Sequence, residues 1–319
     1  MRHVLLWLAL FWAGSAAAQG LTLATSRGPV SLLIYVAETK GLFAKEGLDV
    51  RLAECSSGRD CVQQVIDNKA DIGTAADLAV VLAAAQRRDL AIAATISTSS
   101  HQIKLIARRS AGITEPRQIL GKRIGTTAGT SAHYFLDSWL LFEGIDIGDV
   151  RTVALPPAQL PEALAKREVD AVAIWEPLAG SALAGLQGDA TVLPNPRVYT
   201  QHFGLVATQG LLQQRQSDVA RLLRALARAD EAVRQDSELA RDILARRLGI
   251  EPSVAAQALK EQDFRLRLDQ SLVSTMSSQM RWAVQQGHVK PGSLPPSPLS
   301  LIQPAHLREI APAAVSVVQ

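Results

Sequence analysis

Hydrophobic positions along this chain follow two alternating periods. Short apolar runs read as strands, and between them apolar residues recur every three or four positions, as on one face of a helix. "LTLATS" (21–26) is a strand by this pattern, and "PVSLLIYVAETKGLF" (29–43) is a helix that Gly41 ends. "LDVRLAEC" (48–55) is a strand, and a helix follows the "SSG" turn as far as Ile66. "ADIGTA" (70–75) is a strand and "DLAVVLAAAQ" (77–86) a helix with Asp77 as its N-cap. "LAIAATIS" (90–97) and "QIKLIARR" (102–109) are further strands.

A second cycle opens near residue 110. "GKRIGTT" (121–127) is a strand, and the helix after it places Phe135, Leu136, Trp139 and Leu140 on neighbouring turns of one face. "VRTVALP" is a strand, "LPEALAKREV" a helix, and "DAVAIWEPLAGSAL" a strand that runs into a helix. "HFGLVAT" (202–208) is a strand leading back, and a long helical region follows to about Gln286. From Pro291 onward the chain carries five prolines by residue 304, and this tail is expected to wrap the surface. The alternation of strand and helix implies α/β architecture, with parallel sheets and crossover helices.

Composition then narrows the possibilities. A chain of 319 residues with 48% hydrophobic and 20% charged positions can bury a sizeable core, in two domains or one large one. A net charge of +3 with no basic stripe argues against nucleic acid as a partner.

The N-terminus sets the compartment. Arg2 and His3 precede an apolar run from Val4 to Ala13, and Ala16-Ala17-Ala18 is a small-residue cleavage pattern. That run is shorter than the roughly 20 residues a membrane span needs. Residues 1–18 are therefore expected to be a signal peptide, and the product an exported, soluble, periplasmic protein. Export also decides how "CSSGRDC" is read. In an oxidising compartment Cys55 and Cys61 are expected to form a disulfide, since no nearby His or third Cys supports a metal site. Closing so short a loop stabilises by roughly 2 kcal/mol in the chain-entropy account.

Four segments share one arrangement: a strand end, a turn of Gly, Ser or Thr, and a helix start. They are "TSRGPVS" (25–31), "SSGRD" (56–60), "TAADL" (74–78) and "TAGTSAH" (127–133). In open α/β sheets ligands bind outside the carboxyl ends of strands, where helix starts offer free N–H groups and a positive dipole end. Any one of the four is explained by ordinary capping. Four together point to a shared cleft for an anionic or hydrogen-bond-accepting group.

These residues also carry a resemblance. "GLFAKEGLDVRL…SSGRD…ADIGTAADL", "LGKRIGTTAGTSAHYFL" and "VDAVAIWEPLA" resemble the substrate-binding proteins of ABC importers for sulfonates, taurine and nitrate, and their pyrimidine-binding relatives. The resemblance covers about residues 21 to 210. It implies a two-lobed type II periplasmic-binding-protein fold with a ligand cleft between the lobes and two crossing segments. On that pattern lobe one is 19–106 plus a helical second part at 206–290, lobe two is 107–205, and 291–319 is the tail. It implies cleft positions at Ser26 and Pro29, Ser57 and Gly58, Ala76 with Asp77, and Thr98 or Ser99 in lobe one. In lobe two it implies Gly129, Thr130 and Ser131, with Trp175 and Glu176. The two cysteines are not part of the family pattern.

Each position has a plainer alternative. Thr130 or Ser131 is needed as a cap in any case, Trp175 fits a core as well as a cleft rim, and Glu176 fits a surface salt bridge. Inside the cleft Glu176 would accept a hydrogen bond from a ligand amine. His101 and His133 could face each other across the cleft, Arg59 could meet an anion, and His202 with Tyr199 lies near the return crossing. The resemblance implies a binding protein delivering a small organic anion or zwitterion to a membrane ABC permease, acting as a monomer without a cofactor. The rivals are an enzyme of the pyrimidine-synthesis-like branch, for which no Ser-His-Asp spacing, metal cluster, nucleotide loop or reactive Lys speaks, and an exported ligand-sensing binding protein that would use the same cleft.

Overall fold

Ten strands sort into two sheets of five. In the computed structural model, which describes residues 20–318, these are β1 (Leu21–Ser26), β2 (Val50–Cys55), β3 (Ile72–Ala76), β4 (Leu90–Ser99) and β5 (Ile103–Arg108). The others are β6 (Arg123–Thr126), β7 (Arg151–Ala154), β8 (Ala171–Trp175), β9 (Ala190–Val192) and β10 (Gln201–Thr208). The expected signal peptide at 1–18 lies outside the described residues.

The first sheet has the order β2-β1-β3-β10-β4 and the second β7-β6-β8-β5-β9. Each sheet has a parallel core: β1 pairs with β2 and β3, and β6 with β7 and β8. Each is completed by antiparallel pairs, β10 with β3 and β4 in one and β5 with β8 and β9 in the other. The central strands β3 and β8 are apolar and buried almost throughout, as parallel strands covered by helices on both faces must be.

Helices fill the connections. The first lobe has α1 (Leu32–Thr39), α2 (Leu42–Lys45), α3 (Gly58–Ile66) and α4 (Asp77–Ala84); the second has α5 (Ser131–Phe142), α6 (Leu160–Ala165) and α7 (Leu178–Gly185). Beyond β10 come α8 (Gln209–Gln214), α9 (Gln216–Gln235), α10 (Ser237–Leu248), α11 (Pro252–Glu261), α12 (Gln270–Gln285) and α13 (Ala305–Ile310). Here α9 and α10 pack on α1, so the helical region belongs to the first lobe. The segment read as one helix over 29–43 is three pieces, a 3-10 turn at Pro29–Ser31 followed by α1 and α2.

Two segments, 100–102 and 193–200, pass between the sheets. The pairing puts β5 in the second sheet and β10 in the first, so the changeovers fall earlier than residues 106 and 205. The strand that follows each crossing is added antiparallel, β5 between β8 and β9 and β10 between β3 and β4. The tail packs rather than hangs: Ile302 bridges Ile92, Val315 bridges Leu268, and Leu301 and Leu307 are fully buried.

Candidate ligand-binding cleft

The strand ends of both sheets open onto one cavity of about 250 Å³. From the first lobe come Ser26, Ser57 and Gly58, with Arg27, Arg59 and Ala76; from the second come Gly129, Thr130, Ser131, Trp175 and Glu176. Gln102 and Gln201 line it where the chain crosses between lobes, and Val30, Pro157 and Phe203 add apolar wall. The cavity thus has a donor-rich rim and an apolar interior.

The loop between the cysteines is built to hold its shape. Cys55 and Cys61 form a disulfide, and Cys61 is completely buried. Within the loop Ser57 caps α3, its hydroxyl accepting from the Asp60 N–H at 3.3 Å. Asp60 in turn accepts from the Ser56 N–H at 2.9 Å and the Ser56 hydroxyl at 3.0 Å. Gly58 is required by close approach: a Cβ there would lie 3.0 Å from Ala75 Cα and 3.2 Å from the Ala76 nitrogen. Ser56 to Arg59 are therefore pressed against the end of β3 and presented to the cleft.

At the start of α5 the capping expectation fails. Thr130 is the N-cap residue, yet its hydroxyl donates to the Thr127 carbonyl at 2.6 Å and makes no side-chain cap. Gly129 turns the chain there with φ of +66°, a conformation that disfavours any side chain. The first N–H groups of α5 thus face the cleft without a side-chain cap, as an anion site needs.

Glu176 lines the cleft but is occupied. Its Oε1 accepts from Lys104 Nζ at 2.7 Å and its Oε2 from the Gly180 N–H at 3.0 Å. Lys104 also donates to Glu261 Oε2 at 3.0 Å, so the chain Glu176–Lys104–Glu261 joins the second lobe to α11 of the first. Burial opposes the charge on Lys104, but the hydrogen bonds and attraction of the two glutamates outweigh it and raise its pKa above the ordinary lysine value.

Pro29, Asp77 and Thr98 are not among the lining residues. Pro29 is buried at the first position of its 3-10 turn, between the lining residues Gly28 and Val30. Thr98 accepts from the Arg267 guanidinium at 2.7 Å, within the first lobe. Asp77 is fully buried and heads α4 rather than capping it. Its carboxylate accepts from the Leu78 N–H (2.8 Å), Gln279 Nε2 (3.0 Å), the His202 N–H (3.0 Å) and the Tyr199 hydroxyl. It ties α4, α12, β10 and the second crossing together under the cleft floor.

A second contact between the lobes lies beside α5. Trp282 of α12 donates from Nε1 to Asp137 Oδ2 at 2.8 Å, and Tyr134 packs edge-on against Trp282. His133 meets Trp282 and His288, with ring centroids 5.3 Å away in each case, rather than His101. Burial lowers the pKa of both His133 and His288 and raises that of Asp137.

Gln102, Gln201 and Phe203 are cleft residues that sequence reasoning missed. Gln102 lies in the first crossing, and Gln201 and Phe203 open β10, which its pairing with β3 and β4 brings to the strand ends of the first lobe. Arg27 was legible, since it lies inside one of the four Gly/Ser/Thr turns.

Comparison with known proteins follows the same outline. The family model described as "NMT1/THI5 like" matches residues 29–240. The taurine-binding periplasmic protein of Escherichia coli (strain K12) is 29% identical over 195 residues, 60% of this chain and 58% of that protein. The alkanesulfonate-binding protein SsuA from Xanthomonas axonopodis pv. citri, solved bound to MOPS, superposes with a TM-score of 0.76 at 19% identity, covering 89% of this chain and 98% of that one. The desulfurization enzyme DSZB shares the fold with a TM-score of 0.64 at 18% identity, covering 91% of this chain and 98% of that one.

Proposed function

The chain belongs to the NMT1/THI5-like family, and from that premise we propose that it is a periplasmic solute-binding protein that captures a small organic anion of the sulfonate class and delivers it to a membrane ABC permease. The observation that carries this reading is the facing of two helix starts across one cleft. Ser57 and Gly58 at α3 belong to one lobe, and Thr130 and Ser131 at α5 to the other. An anion between them meets backbone N–H groups and the positive ends of two helices, with Arg27 and Arg59 at the rim. Its organic part packs on Val30, Pro157, Trp175 and Phe203. Contacts from both lobes are satisfied together only when the lobes close, so ligand drives closure. The taurine-binding relative supports the ligand class, and among the described residues no helix is long and apolar enough to cross a membrane.

A second reading, catalysis on the same ligand, is kept by the desulfurization enzyme that shares the fold. One experiment separates them. Mass spectrometry of the ligand released from denatured, natively purified protein is expected to find an organosulfonate, unchanged after long incubation with fresh protein. A carried ligand without an anionic group contradicts capture of an anion. Conversion of the ligand into a product overturns the transport reading in favour of the enzyme.

A further inference from the structure

Among the described residues that line the cleft, Glu176 is the one carboxylate, and both of its oxygens are taken. The cation that takes Oε1 is itself held in place. Lys104 lies on β5, mostly buried, with Glu261 on its far side, and Glu261 Oε1 also accepts from Gln257 at 2.9 Å. The neighbouring amide offers no free acceptor either. Gln102 Nε2 donates to the Glu176 carbonyl at 3.2 Å, while Gln102 Oε1 accepts from Gln262 at 2.8 Å. The carboxylate of the cleft is therefore engaged inside the protein, while the start of α5 carries no side-chain cap.

We infer that Lys104 sets the ligand class of this cleft: by neutralising Glu176 it turns away ligands that carry an ammonium group and favours organic anions that end in hydrocarbon. The assignment rests on the reading of the cleft as an anion site. An ammonium brought into this cavity loses its water and finds no carboxylate to replace it. A methyl group at the same place meets Trp175 and Phe203 without cost. Lys104 touches no ligand, and its action is exerted through the Glu176 carboxylate.

Propanesulfonate and taurine test this directly, because they match atom for atom except that one ends in a methyl and the other in an ammonium. Calorimetric titration of the full mature protein is expected to show propanesulfonate binding at least about tenfold more tightly. Lys104→Met frees Glu176 and is expected to shift the affinity ratio towards taurine by about tenfold or more, while Lys104→Arg keeps the charge and the wild-type ratio. A merely structural lysine would lower both affinities together and leave the ratio alone. That parallel loss, or wild-type protein that binds taurine as tightly as propanesulfonate, overturns the assignment. If Lys104→Met does not fold, the wild-type ratio decides alone. Binding of neither compound sinks the sulfonate reading itself, and this assignment with it.

Discussion

Asp77 shows how one carboxylate can be misread at the residue scale. An acid just after a small-residue turn looks the same in sequence whether it faces a ligand or points beneath the sheet. Here it points beneath, and its donors come from Tyr199, His202 and Gln279, more than a hundred residues away in sequence. Removing it strands these buried donors, each at a cost of about 1–3 kcal/mol. Asp77→Ala is therefore expected to lower stability by several kcal/mol in denaturant melts, while ligand affinity measured on the remaining folded protein stays within a few-fold of wild type. An intact melt with lost affinity would place Asp77 in contact with ligand. The Glu176–Lys104 pair was hidden for the same reason. Glu176 was legible as a cleft residue, but its partner lies 72 positions away and that partner's second acid 157 positions away. Long-range charge pairing leaves no local pattern.

At the scale of elements, the turns and helix starts were readable because each is a local event. The strand-turn-helix units at α3 and α5 announce themselves by Gly, Ser and Thr, and they supply the rim of the cleft. Two elements carry predictions. In the first, the disulfide pins Ser56 to Arg59 against β3. Replacing both cysteines, as Cys55→Ser with Cys61→Ser, is expected to cost roughly 2 kcal/mol of stability in the chain-entropy account. It is also expected to weaken ligand binding, since the loop must be ordered again on each capture. Titration of the folded double variant at unchanged affinity would show the bridge to be a staple without influence on the cleft.

The second is the contact of α5 with α12. Burial depresses the pKa of His133 and of His288 below the ordinary 6.5, and Arg59 pushes His288 the same way. A base with a depressed folded pKa gives stability that is fully present above the unfolded value and lost as pH falls through the folded one. Asp137, raised by burial, works in the opposite direction and returns part of that loss at lower pH. Thermal melts from neutral pH down to about 5 should show a falling midpoint. His288→Phe should flatten that slope, because His288 Nε2 is buried without a partner and an apolar ring loses nothing there. An unchanged slope in His288→Phe removes His288 from this account.

For the whole molecule, the alternation of strands and helices was enough to read two α/β halves, but not where they exchange strands. β5 and β10 are buried along most of their length, so their periodicity is silent about which sheet they join. Gln102, Gln201 and Phe203, at or next to the two crossings, line the cleft. The central claim is that an organic anion, held between the starts of α3 and α5, draws the lobes together. Small-angle scattering of the mature protein with and without saturating propanesulfonate tests it most directly. A smaller radius of gyration in the presence of the sulfonate is the predicted result. An unchanged scattering curve, with calorimetry showing the sulfonate bound, would contradict it.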